Sequence, residues 1–216
     1  MNDMENLQTW LDRLELVIEP AIVATLDEYC KLLWTKNEQL NLTRHTTYEQ
    51  FVGRDLVDSL ELSKLLRQAE SVLDVGSGGG VPGLVLAILR PDMQVTLTDS
   101  VKKKSKFLQE TADALKVHVE VYDCRAESLL DDFRYDSTIG RAVGPLVKMI
   151  PWFRGQWISL GRLLLVKGPK WEEELAAARS AGIWPEREVD VKVAAEYPIP
   201  GEEWRSFILE IRSRKC

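Results

Sequence analysis

The sequence predicts a doubly wound α/β fold, a mostly parallel sheet with an antiparallel strand near the C-terminus, preceded by a helical segment. Three observations carry that expectation. From Ser71 onward, short apolar runs alternate with helical segments, the pattern of parallel strands joined by crossover helices. The first such run, Val72 to Val75, enters a turn with glycine at four of five positions, Gly76, Gly78, Gly79 and Gly80. Before residue 68 the apolar residues recur at helical spacing instead.

The elements follow in order. Leu7, Leu11, Leu14 and Ile18 keep helical spacing until Glu19-Pro20 interrupts the chain. Ile22, Leu26, Tyr29, Cys30 and Leu33 form a second stripe. A third helix is expected from near Tyr48 to Leu66, after the irregular Asn41-Leu42-Thr43. Residues 1–67 are thus expected to form a helical subdomain packed on a ligand-binding domain of residues 68–216. Within the latter, strands are expected over 72–75, 95–98, 117–122, 137–139 and 163–166, and helices over 83–89, 102–115, 146–158 and 171–181. Two further strands, 189–193 and 206–212, follow.

Composition bounds the function. With 216 residues, 45% hydrophobic and 29% charged, the chain suits a globular protein with a substantial core. No apolar run approaches the roughly 18 residues of a membrane span, and the start, Met1 to Glu5, is acidic rather than signal-like, so a cytoplasmic protein is expected. Cys30, Cys124 and Cys216 are too far apart for a disulfide framework or a zinc site, and only His45 and His118 could assist, so no metal is expected. A net charge of −6 argues against holding nucleic acid by bulk electrostatics. Locally, however, Lys102, Lys103, Lys104 and Lys106 cluster, and Arg212, Arg214 and Lys215 make the tail basic.

The glycine turn is the most informative segment. Glycines allow positive φ and close approach of a ligand at the carboxyl end of the first strand, where open α/β sheets bind. Gly78, Gly80 and Gly83 spell the dinucleotide fingerprint, whereas Gly76, Gly78 and Gly80 behind Asp74 spell the S-adenosylmethionine loop of class I methyltransferases. Asp99, at the end of the second strand and 23 residues after Gly76, suits the ribose hydroxyls of either cofactor and could equally cap the next helix. The decision comes from chain length. A dehydrogenase needs a substrate domain, yet only 48 residues follow Gly168, and a class I methyltransferase needs none.

The ordered pieces Asn41-Leu42-Thr43, Asp58-Ser59-Leu60, Asp74 to Gly83, Asp99-Ser100 with Lys103, Lys104, Phe107 and Leu108, Arg125-Ala126-Glu127, Arg141-Ala142, and Gly161 with Lys167-Gly168 span nearly the whole chain. In these the sequence resembles the bacterial RsmG (GidB) family of small-subunit ribosomal RNA guanine-N7 methyltransferases. The resemblance implies S-adenosyl-L-methionine as cofactor and 16S ribosomal RNA or the small ribosomal subunit as partner. It places Gly76 and Val81, with Gly78 and Gly80 of the same loop, against the cofactor. It further assigns Asp99 and Ser100 to the ribose, and Ala126 and Glu127, in the loop after the third strand, to the adenine. Arg141, just past the fourth strand, is implied at the pocket mouth near the methyl donor or the RNA, in a positioning role. Two departures stand out: Asp55 occupies a place where the family usually has histidine, and Gly140 one where it commonly has serine.

Guanine N7 carries a free lone pair and no proton, so its methylation requires no general base, and positioning carries the catalysis. Two alternatives remain open at this point: a class I methyltransferase acting on a small molecule or protein, and a non-catalytic nucleotide-binding regulator. The RNA contacts are expected at Lys102, Lys103, Lys104 and Lys106.

Overall fold

A computed structural model describes residues 6–214 of the chain. Lys215, Cys216 and the acidic start lie outside the described residues. A seven-stranded sheet organises the molecule, in the order β3-β2-β1-β4-β5-β7-β6. The strands are β1 (Ser71–Val75), β2 (Gln94–Thr98), β3 (Glu120–Tyr122), β4 (Ser137–Arg141), β5 (Arg162–Lys167), β6 (Val189–Pro198) and β7 (Arg205–Ser213). The first five are parallel, and β7 runs antiparallel between β5 and β6. Chain order reverses between β1 and β4, so the carboxyl ends of these strands form the crevice in which a doubly wound sheet takes a ligand.

Alternation along β1 divides the core into two layers. Val72 packs with the N-terminal helices, whereas Leu73 and Val75 pack on the opposite face. The first layer contains α1 (Leu7–Arg13), α2 (Pro20–Leu40), α4 (Val57–Leu65), α5 (Gly83–Leu89) and α6 (Lys102–Leu115). The second contains α7 (Ala126–Asp132), α8 (Leu146–Met149) and α9 (Trp171–Ser180). Leu7, Leu26, Leu33 and Leu62 share one buried cluster with Val72, Val95 and Ile208, so the helical segment and the sheet are joined by a continuous core. Burial at this scale, about 25 cal/mol per Å² of apolar surface, fixes the helices that frame the site.

Several boundaries differ from the sequence expectation. The first helix ends at Arg13 because Glu15 turns left-handed (φ +53°), although Leu14 and Ile18 still pack on the core. The third helix is a composite: α3 (Tyr48–Gln50), a π turn (Phe51–Leu56) and α4. The expected helix 146–158 is α8 followed by a 3₁₀ turn (Ile150–Phe153), because Pro151 has no N–H to continue the ladder. Helix α7 was not expected at all. Ala126 and Glu127 open it rather than lying in a loop, and Glu127 gains from the positive helix N-terminus.

Candidate active site

The glycine turn is knitted to β2 before any ligand is considered. Ser77 N–H donates to Thr98 O at 2.8 Å, and Thr98 N–H returns a bond to Ser77 Oγ at 3.1 Å. Gly76, Gly78 and Gly80 hold φ of +67°, +56° and +103°, a region where a side chain is strained. Gly83 is required by packing: a Cβ there would lie 2.4 Å from Asp74 Oδ2. That carboxyl oxygen instead accepts the Gly83 N–H at 3.0 Å and ties helix α5 to β1. Burial pushes Asp74 up to about 7, partly offset by this hydrogen bond and by the charge of Arg141.

A cavity of about 430 Å³ opens beyond the turn. Gly76, Asp99, Ser100, Ala126 and Glu127, all singled out from the sequence, line it together. Asp99 Oδ1 accepts from Val101 N–H at 2.8 Å and Oδ2 from Gly78 N–H at 3.1 Å. The carboxylate therefore caps the entry to α6 and braces the glycine turn, and each oxygen keeps lone pairs for a further donor. Gly78, Gly80 and Val81 do not line the cavity. Gly80 faces Leu84 and Leu108, and Val81 packs against the core of the first layer.

A second, larger cleft of about 1020 Å³ adjoins the first, and Ala142 belongs to both walls. Arg141, the last residue of β4, lines this cleft rather than the smaller cavity. Its Nη1 donates to Asp58 Oδ2 at 3.0 Å and its Nη2 to Asp55 Oδ1. Both carboxylates are fully buried. Burial works against the guanidinium, but Asp55 and Asp58 outweigh it and hold its pKa above the ordinary arginine value. Tyr197 OH donates to Asp58 at 2.7 Å, and His45 Nδ1 meets Asp55 Oδ1 at 2.7 Å. Around the rim stand Arg44, Arg54, Lys104 and Lys167. Lys102, Lys103 and Lys106 lie exposed on the same end of α6, with Lys106 near Glu110 at 3.6 Å. The arrangement is a small cavity adjoining a larger, cationic cleft, with an ion-paired arginine where the two meet.

Comparison with known proteins places this arrangement. A family model described as rRNA small subunit methyltransferase G matches residues 22–196. The chain belongs to this family. The ribosomal RNA small subunit methyltransferase G of Rhodopirellula baltica is 45% identical over 192 residues, 89% of this chain and 82% of that protein. The protein of the same name from Halorhodospira halophila is 36% identical over 96% of both chains. Solved structures share the fold at low identity. An rRNA methylase from Streptococcus thermophilus superposes with a TM-score of 0.51, at 16% identity, over 74% of this chain and 96% of its own. A substituted MtNAS in complex with S-adenosylmethionine gives 0.57, at 16% identity, over 96% and 84%. The chain is therefore a methyltransferase of the G family on a class I scaffold.

For a family member, the informative residues missed by the sequence reading are those around Arg141. Asp55 and Asp58 sit three apart on one helical run, which places both on one face. Their partner, however, lies more than eighty residues away, and the intervening π turn shifts the register that ideal helical spacing assumes. Among the described residues no group of His, Cys, Asp and Glu could hold a metal ion, and no helix is long and apolar enough to cross a membrane.

Proposed function

We propose that this rRNA methyltransferase moves the methyl group of S-adenosyl-L-methionine to N7 of a guanine in 16S ribosomal RNA. The observation that carries the reading is the pairing of the two compartments through Ala142. In the smaller, Asp99 and Ser100 would hold the ribose, Ala126 and Glu127 the adenine, and Gly76 the chain leading to the sulfonium. Gly78, Gly80 and Val81 act one step back, by setting the turn. A cavity of this size suits a cofactor of that class, and the free lone pairs of Asp99 suit vicinal hydroxyls. When bound, the cofactor supplies an electrophilic methyl group.

The chain's own residues position the acceptor. Arg141 keeps the cleft wall rigid where the compartments meet, with two of its five N–H donors committed to Asp55 and Asp58. N7 attack needs no base. The cationic rim, with Lys102, Lys103, Lys104 and Lys106 on α6, takes the RNA phosphates. The N-terminal layer contributes Arg44, His45 and Arg54 to the wall of this cleft.

The decisive measurement is transfer of labelled methyl from the cofactor into purified small-subunit RNA, small-subunit particles, metabolites and protein, followed by mapping of the labelled base. Label on guanine N7 in the RNA is expected, with a single-turnover rate nearly flat from about pH 6 to 9. Label confined to metabolites or protein overturns the reading.

A further inference from the structure

The second cleft contains one side chain whose orientation is over-determined. His45 lies on the short segment between α2 and α3, and every polar atom it has except one is engaged. Its backbone N–H donates to Thr43 Oγ1 at 3.0 Å, and its carbonyl accepts from Trp34 Nε1 at 2.8 Å. Thr43 is itself fastened by donating its N–H to Asn37 Oδ1 at 2.9 Å. The ring nitrogen Nδ1 meets Asp55 Oδ1 at 2.7 Å. A carboxylate only accepts, so this contact puts the proton on Nδ1. Nε2 remains, on a side chain 28% exposed in the cleft wall.

The surrounding charges settle what Nε2 offers. Arg141 bridges Asp55 and Asp58, and Arg54 lies 3.9 Å from Asp58. Two cations face two carboxylates, so the cluster balances with a neutral imidazole. Nε2 then presents a lone pair. A lone pair repels phosphate, for which Arg44 and Lys104 stand nearby, and attracts an N–H donor.

We propose that His45 Nε2 accepts a hydrogen bond from the 2-amino group of the guanine that is methylated. This rests on the functional reading above and names the contact that selects the base. Guanine is the common base with an amino group at that place. A grip on its Watson–Crick edge leaves N7, on the opposite edge, open to the methyl donor, whereas an arginine bidentate to O6 and N7 would cover the reacting atom. His45 is thus a specificity residue rather than a base. Asp55 acts through it as a positioning residue that fixes the tautomer.

The test is nucleotide binding to the full chain saturated with S-adenosylhomocysteine, followed by ligand-observed NMR. The probes are guanosine monophosphate and inosine monophosphate, which differ only in the 2-amino group. The wild-type protein should prefer the guanine nucleotide by about tenfold, the worth of one hydrogen bond at 1.4 kcal/mol per decade. His45→Ala should bring the ratio to about one by weakening only the guanine nucleotide. His45→Gln, whose amide oxygen can accept, should keep part of the preference. Unchanged affinity for S-adenosylhomocysteine certifies that each variant is folded. Equal weakening of both nucleotides by His45→Ala, or a wild-type ratio near one, overturns the proposal. No RNA methylation enters this titration, so it fails or succeeds separately from the methyl-transfer experiment.

Discussion

The two compartments of the candidate active site are built by different means. The smaller cavity is a product of backbone: a glycine turn, strand ends and helix N-termini, braced by main-chain bonds such as Ser77 N–H to Thr98 O. The larger cleft is a product of side chains brought from residues 41–58, from Lys104, from the end of β4 and from β5, and locked by ion pairs. The first kind of site is written in short runs at successive strand ends, such as 75–76, 98–100 and 124–127, and tolerates little change in conformation. The second is written in pairs of distant residues and tolerates little change in charge.

Arg141→Ala attacks the second kind and should have the largest effect. It strands two fully buried carboxylates, so chemical denaturation should show a loss of about 3–5 kcal/mol together with a severe loss of methyl transfer. Arg141→Lys should restore little, because a single ammonium does not reproduce a planar fork spanning Asp55 and Asp58. If Arg141→Ala leaves stability unchanged, the cleft is not held by this cluster.

Asp74 probes the junction of the turn with β1. Its pKa in the folded protein is raised to about 7 from an ordinary value of 3.8. Its contribution to stability is therefore full below about pH 4 and is lost as pH rises to about 7, because the folded state holds a proton that the unfolded state releases. Asp74→Asn should remove that decline, so the variant gains on the wild type across this window. Parallel stability profiles for the two proteins would show that Asp74 is already ionised in the fold.

Asp99→Ala should weaken cofactor binding by roughly 1.5–3 kcal/mol in calorimetry, through the lost charge-assisted bonds to the ribose. Gly78→Val should abolish binding in a folded protein. The cause differs from the one the glycine pattern suggests: an added Cβ meets only Gly76 O at 3.8 Å, so the harm comes from the positive φ. Unchanged affinity in both variants would remove the backbone cavity as the cofactor site.

The smallest effect on the fold should come from neutralising Lys102, Lys103, Lys104 and Lys106 together. Stability should stay within about 0.5 kcal/mol, while RNA affinity falls and its salt dependence flattens. An unchanged salt slope would put the RNA on another surface.

The same contrast explains what was legible beforehand. Strand β1, the turn, β2 and Asp99 follow one another within thirty residues, so local rules pointed to the glycine turn and Asp99, while the family resemblance added Ser100, Ala126 and Glu127; Gly76, Asp99 and these three line one cavity. Helix α6 was read at its observed bounds because its apolar stripe and left-handed end at Lys116 are local as well. Arg141 was found only through family resemblance, and its pairing with Asp55 and Asp58, both quoted from the sequence, was not read, nor was the place of His45 beside Asp55. Spacing rules describe a regular helix, and the π turn at Phe51–Leu56 is not one. Tertiary pairing of Asp55 with both His45 and Arg141 has no signature in periodicity.

The position of β7 has a consequence for the arginine cluster behind the larger cleft. The last strand of the chain lies between β5 and β6, and β6 has no other neighbour in the sheet. Tyr197, at the far end of that same hairpin, is what reaches Asp58 in the N-terminal helical layer. The residues that line the larger cleft all precede β6, so the hairpin adds no wall to it and acts from behind, by giving Asp58 a phenol partner besides Arg141.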